Sequence, residues 1–197
     1  MNRRMFALLL LATPLMTGCG YNRIQSLTQE VDAAQGNIQA QLQRRADLIP
    51  NLVNTVKGYA AHEEAVFTQV TQARAGLQSA INSGDAGQMA NADATMNSAL
   101  GRLMLVVEAY PQLKADAQFM RLQDELTGTE NRIAVSRTDY NTAVKTYNTL
   151  ITQFPTVLTA KATGAKPKPY YEATNANANT APTVDFTKTP PPATKRP

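Results

Sequence analysis

The chain has 197 residues, enough for one domain with a sizeable core, and its hydrophobic fraction of 43% is that of an ordinary folded protein. A single cysteine excludes an internal disulfide and a thiolate metal cluster. The formal charge of +4 is unevenly spread: residues 20–160 hold 11 Lys and Arg against 13 Asp and Glu, so no broad cationic field favours nucleic acid as a partner.

The chain opens with MNRR, a short positive segment, followed by an apolar run from Met5 to Met16. A bilayer crossing needs roughly 20 apolar residues, so this shorter run reads as the hydrophobic part of a signal peptide. Thr17 and Gly18 lead into Cys19, the lone cysteine. That arrangement resembles a bacterial lipobox, with Met16 where the pattern usually has leucine; an ordinary secretory signal with a chance cysteine is the alternative. Residues 1–18 are therefore expected to be a lipoprotein signal peptide and Cys19 the lipidation site. A diacylglyceryl thioether plus an N-acyl chain, palmitate or similar, is enough for stable anchoring. Glycine rather than aspartate follows the cysteine, which in diderm bacteria usually accompanies sorting to the outer membrane. The expected address is the cell membrane or outer membrane, lipid-anchored, facing the periplasm or exterior.

From residue 19 to 160 hydrophobic positions recur at intervals of three and four, as on one face of a helix. Ile24, Leu27, Val31, Ala34, Ile38 and Leu42 form one stripe; Leu52, Val56, Tyr59, Val66, Val70 and Leu77 form a second. NSGDAG at 82–87 breaks it. Met89, Met96, Leu100, Leu103 and Val107 make a third, and Phe119, Leu122, Leu126, Ile133, Tyr140, Val144, Tyr147, Ile151 and Phe154 a fourth, closed by Pro155. The pattern predicts helices over about 22–46, 48–81, 87–109 and 114–154. Each apolar stripe needs a partner to cover it, so the predicted fold is all-α, an elongated antiparallel up-and-down four-helix bundle. Pro50 suits the first turn of the second helix with Asp47 as its N-cap; the alternative is one kinked helix, because the apolar phase persists from Ile38 to Tyr59. TGTE around Gly128 resembles a capping box, but unbroken phase from Leu126 to Ile133 predicts a helix that runs through. Residues 161–197, rich in proline, alanine, threonine and lysine, are expected to be a largely disordered tail in which Tyr170, Tyr171 and Phe186 could dock.

Three stretches carry a family resemblance: QLQRRADLIPNLVNTVKGYAAHE (41–63), LQDELTGTENRIAVSRTDYNTAVKTYNTLITQFP (122–155) and the looser YYEATNANANTAPTVDF (170–186). Together they resemble the LemA family of bacterial membrane-associated proteins. The resemblance implies a helical up-and-down bundle projecting from a membrane. Family members often carry a spanning N-terminal helix, where this chain has a lipobox. It implies no catalytic residues.

The residues themselves also argue against catalysis. His62 is the only histidine; HExxH would need a second at position 66, which is Val66, paired Glu-x-x-His sites are equally short of one, and His62 alone would have to serve every proposed nucleophilic triad. Glu63–Glu64 and Asp124–Glu125 are sequence neighbours, which point apart on a helix. No enzyme activity, cofactor or metal is expected. Arg45 is the anomaly, a charge at a core-phase position between Ile38 and Leu52. With Arg44, Asp47, Pro50, Glu130, Asn131 and Arg132 it defines a candidate network near the first helix junction, Arg45 pairing with Glu130 or Asp47, because a buried charge must be paired. The network would fix helix register or serve as a recognition site. Partners follow from these readings: the membrane through the lipid anchor, and another envelope protein. Function is then a non-enzymatic scaffold or adaptor at the envelope, with a ligand-binding sensor bundle as the alternative.

Overall fold

A computed structural model describes the backbone of residues 3–173 and the side chains of residues 20–173. The fold is all-α, and the described residues form six helices rather than four. They are α1 (Arg3–Lys57), α2 (Glu64–Ser83), α3 (Ala86–Glu108), α4 (Pro111–Lys114), α5 (Ala117–Thr152) and α6 (Thr156–Thr163). Among them, none is long and apolar enough to cross a membrane.

The apolar stripes account for the packing. Ile24, Leu27, Val31, Ile38, Leu42, Ile49, Leu52 and Val56 of α1 are buried, and so are Phe119, Ile133, Tyr140, Val144, Tyr147 and Ile151 of α5. The two helices lie antiparallel: Tyr59, just past the end of α1, donates to Asp116 at the start of α5, while Gly20 abuts Thr156 and Thr159 of α6. At about 1.5 Å per residue each helix runs roughly 55 Å, counting α1 from Gly20. The α2–α3 hairpin is shorter, with 20 and 23 residues. Its tip is shaped by Gly84, whose φ of 68° closes α2 in the left-handed region, and by Asp85, whose carboxylate accepts from Gln88 N at 2.7 Å to cap α3. Gln35 of α1 donates to the Gly84 carbonyl, which fixes how far the hairpin reaches. It covers only the half of the α1–α5 pair beyond that level.

This mismatch in length leaves room for the first part of the tail. α6 runs to Thr163, Gly164 closes it in the left-handed region, and an extended strap over residues 165–173 lies on the half that the hairpin leaves bare. Tyr171 is 3% exposed and joins the core. Phe186 and the rest of the tail lie outside the described residues.

One correction concerns Pro50. The chain does not turn there; α1 continues to Lys57, and the break falls at residues 58–63. Proline lacks the N–H that would bond the carbonyl four residues earlier. That carbonyl, of the buried Ala46, instead accepts from Arg74 Nε of α2 at 2.8 Å. A partner from the next helix thus repairs the ladder, and the apolar stripe stays continuous. Asp47 is no N-cap; it is exposed and accepts from Gln43 at 2.8 Å. Two members of the expected stripes also face water: Tyr59 is 43% and Phe154 81% exposed. Gly128 lies within α5, as the apolar phase predicts.

Candidate functional site

Arg45 is the centre of the polar architecture. Its position in the buried stripe of α1 carries the side chain inward, leaving it 4% exposed. The guanidinium reaches α3, where Nη1 donates to Asp93 Oδ1 at 2.6 Å and Nη2 to Asn97 Oδ1. It also reaches α5, where Glu130 Oε2 sits 2.7 Å from Nη1 as a charge contact without hydrogen-bond alignment. Nε has no partner. One side chain therefore ties together α1, α3 and α5.

Burial dominates the electrostatics of Asp93. It pushes the carboxyl above its ordinary range; the Arg45 charge opposes this, and the Glu130 carboxylate reinforces it. Asp93 Oδ1, with a side chain 11% exposed, is the inner partner of Arg45, whereas Glu130, at 46%, is the outer one. The charge thus begins in the core and ends at the surface.

Two open grooves flank this tie. The smaller, about 380 Å³, is bordered by Arg45, Asn97, Met104, Gln123, Glu130 and Asn131. The larger, about 780 Å³, runs along the other side, past Asp93, Asn97, Arg137, Asn141, Lys145, Tyr170 and Tyr171. Tyr171 places its hydroxyl there in a buried position with no hydrogen-bond partner among the described residues. Burial raises its pKa strongly, the negative charge of Asp93 adds to this, and Arg137 opposes it.

The strap that delivers Tyr171 is held by two asparagines of α5. Asn148 accepts from Lys168 N at 2.8 Å and donates to Lys168 O at 2.9 Å. Asn141 accepts from Tyr171 N at 2.8 Å and donates to Tyr171 O at 3.3 Å. The spacings match. Seven residues of helix rise about 10.5 Å, and three residues of proline-rich extended chain rise about 9.3 Å. Tyr140 OH adds a bond to Pro169 O at 2.9 Å, and Lys168 pairs with Asp32 of α1.

Of the residues expected in the network, the structure brings together Arg45 and Glu130, with exposed Asn131 at the mouth of the smaller groove. Arg44, Asp47 and Arg132 are exposed and have no part in it, and Pro50 is half-buried within α1. Asp93, Asn97, Arg74, Asn141 and Asn148 are additions. Asp93 was findable by the criterion that exposes Arg45, since it stands at core phase between Met89 and Met96. Cys19 lies outside the residues whose side chains are described.

Residues 34–186 match the LemA family. The chain belongs to that family. This LemA family chain is 31% identical over 185 residues to magnetosome protein MamQ 2 of Paramagnetospirillum magneticum, a match covering 82% of it and 67% of the relative. It is 29% identical over 174 residues to magnetosome protein MamQ of Magnetospirillum gryphiswaldense, covering 77% and 64%. Against protein LemA of Metamycoplasma hominis the identity is 25% over 133 residues, covering 68% and 60%. The chain thus spans about two thirds of the length of these relatives or less. The family match takes in Arg45, Asp93, Glu130 and the strap, so the site lies within the shared region rather than beyond it.

Proposed function

We propose that this protein is a membrane-tethered, non-enzymatic adaptor whose recognition surface is the cleft between α3 and α5 around Arg45. The observation that carries the reading is the three-helix tie, in which a buried arginine reaches the surface through Glu130 and Asn97 between two open grooves. Burying such a charge does not favour stability over an apolar replacement, so a role beyond packing is the economical reason for it. Chemically the cleft suits a partner presenting hydrogen-bonding and charged groups of both signs, because Arg137 and Lys145 face it together with Asp93 and Glu130. The grooves are open and polar-edged while the apolar stripes fill the core, which supports an adaptor over a sensor that encloses a small molecule.

The tether rests on the leader and Cys19, and the family's association with membranes supports it. A lipid at Cys19 would confine the protein to two dimensions, and the antiparallel α1–α5 pair would hold the cleft away from the bilayer.

Crosslinking in intact cells, followed by mass spectrometry, tests both parts. The comparison is between wild type, Cys19→Ala and the double variant Arg45→Leu with Asp93→Leu. The double variant should fold and lose crosslinks that wild type makes through α3 and α5; unchanged crosslinks overturn the recognition surface. If Cys19→Ala stays on the membrane and neither form incorporates labelled fatty acid, the lipid tether is wrong.

A further inference from the structure

The end of the molecule nearest Cys19 carries an apolar surface that no other described residue covers. Phe154 is 81% exposed, Leu158 61% and Tyr21 45%. Their common location follows from α6 packing on the start of α1: a Cβ on Gly20 would meet Thr159 Oγ1 at 3.2 Å and Thr156 Cγ2 at 3.9 Å. Leu158 and Lys161, three residues apart, share one side of α6, and Phe154 stands exposed in the turn that leads into it. Thr156 and Thr159 form the side turned to α1, so the apolar side chains face away from the bundle.

Charge at this end has one sign. Residues 20–29 and 152–166 contain Arg23, Lys161 and Lys166 and no Asp or Glu. The opposite end, at residues 57–64 and 108–117, carries Glu63, Glu64, Glu108 and Asp116 against Lys57 and Lys114. An exposed phenylalanine and leucine, with Lys161 on the same short helix and the first carboxylates of α1 set back at Glu30 and Asp32, match the chemistry of an anionic bilayer surface. There, apolar side chains enter the headgroup boundary while lysine stems extend toward phosphates.

We propose that the α5–α6 elbow, through Phe154, Leu158 and Lys161 with Tyr21 beside them, is a second membrane contact that docks the folded domain on anionic phospholipid. It builds on the tether proposed above, because Gly20 directly follows Cys19 and the apolar run ends at Met16. Two contacts at one end fix orientation as well as distance: the molecule stands on this end, and the Arg45 cleft faces sideways at a set height.

The chain has no tryptophan, so one introduced by Phe154→Trp reports alone. The full-length protein, extracted from cells, is reconstituted into vesicles of phosphatidylglycerol and phosphatidylethanolamine, with and without bromine on the acyl chains. Leu105→Trp, on exposed α3 well away from the elbow, serves as the control. At position 154 the emission should shift to the blue and lose intensity to brominated lipid, and at 105 it should do neither. Both effects should weaken in neutral phosphatidylcholine and when Lys161→Glu is added. Flotation of the same vesicles reports the tether separately. Protein that floats without quenching at 154, or that is quenched equally at 154 and 105, overturns the docking contact while leaving the tether intact. Failure to float overturns the tether, and docking then stands only if the tryptophan at 154 is still quenched when protein and vesicles are mixed.

Discussion

Three side chains define the residue scale, and each makes a separate prediction. Arg45→Leu leaves Asp93 buried without its cation, which costs about 3–5 kcal/mol for a broken buried pair. Urea denaturation should show that loss, and Asp93→Leu added to it should recover most of the stability. Arg74 acts on the backbone. Replacing it by methionine leaves the Ala46 carbonyl unpartnered and costs about 1–3 kcal/mol. In a Pro50→Ala background the helix supplies its own N–H, so the same replacement should be nearly free; equal costs in both backgrounds would refute the repair. Asp116 is the pH-sensitive cap. Its Oδ1 accepts from Gln118 N and Phe119 N, its Oδ2 from Tyr59 OH, and these bonds hold its carboxyl below the ordinary 3.8. A depressed folded value means stabilisation above the unfolded pKa that fades as pH falls through the folded one. Asp93, raised by burial, has the opposite sign and favours the folded state as it gains a proton. Stability followed below pH 3.8 should therefore fall less steeply in Asp116→Asn, which can still cap α5, than in wild type.

At the scale of elements, the four amphipathic segments were legible because buried positions recur with the period of a helix. Where α1 ends was not. Its continuity depends on Arg74, on the facing helix, and no local signal at Pro50 reveals a donor that tertiary packing brings in. The strap was legible only as two aromatic residues, Tyr170 and Tyr171, in a polar tail, since two asparagines seven apart acquire meaning once an extended chain lies across them. Those clamps are specific enough to test individually. Asn148→Ala should accelerate amide exchange at Lys168, and Asn141→Ala at Tyr171, because each asparagine oxygen accepts from that amide. Each change should leave the other clamp's amide comparatively slow. If both mutations release both amides alike, the strap docks as one unit held by the burial of Tyr171 rather than by its amide ladder.

For the whole molecule, the unequal lengths of its helices divide one continuous core into two differently supported halves. Beyond Gln35, α1 and α5 are covered by the α2–α3 hairpin, whose buried Phe67, Val70, Leu77, Met89, Met96 and Leu103 belong to long helices. Toward Gly20, among the described residues, the same pair is covered by an eight-residue helix and the strap. Cover that consists of a short helix and a backbone without regular internal bonds opens at lower cost than a packed helical hairpin. The halves should therefore respond differently to loss of the tail. In a chain that stops after Thr163, amide exchange at Ile24–Val31 and Tyr140–Ile151 should become much faster, because Tyr140, Val144 and Tyr147 lose the segment lying on them. Exchange at Ala46–Val56 should stay close to wild type, since Arg45, Arg74 and the hairpin remain in place. Uniform acceleration along α1 would mean that the molecule unfolds as a single cooperative unit and that the strap supports the cleft as much as the end beneath it. Local acceleration would show that the cleft can keep its geometry while the end nearest Cys19 opens, so that the proposed recognition surface and the proposed membrane contact could be disturbed separately.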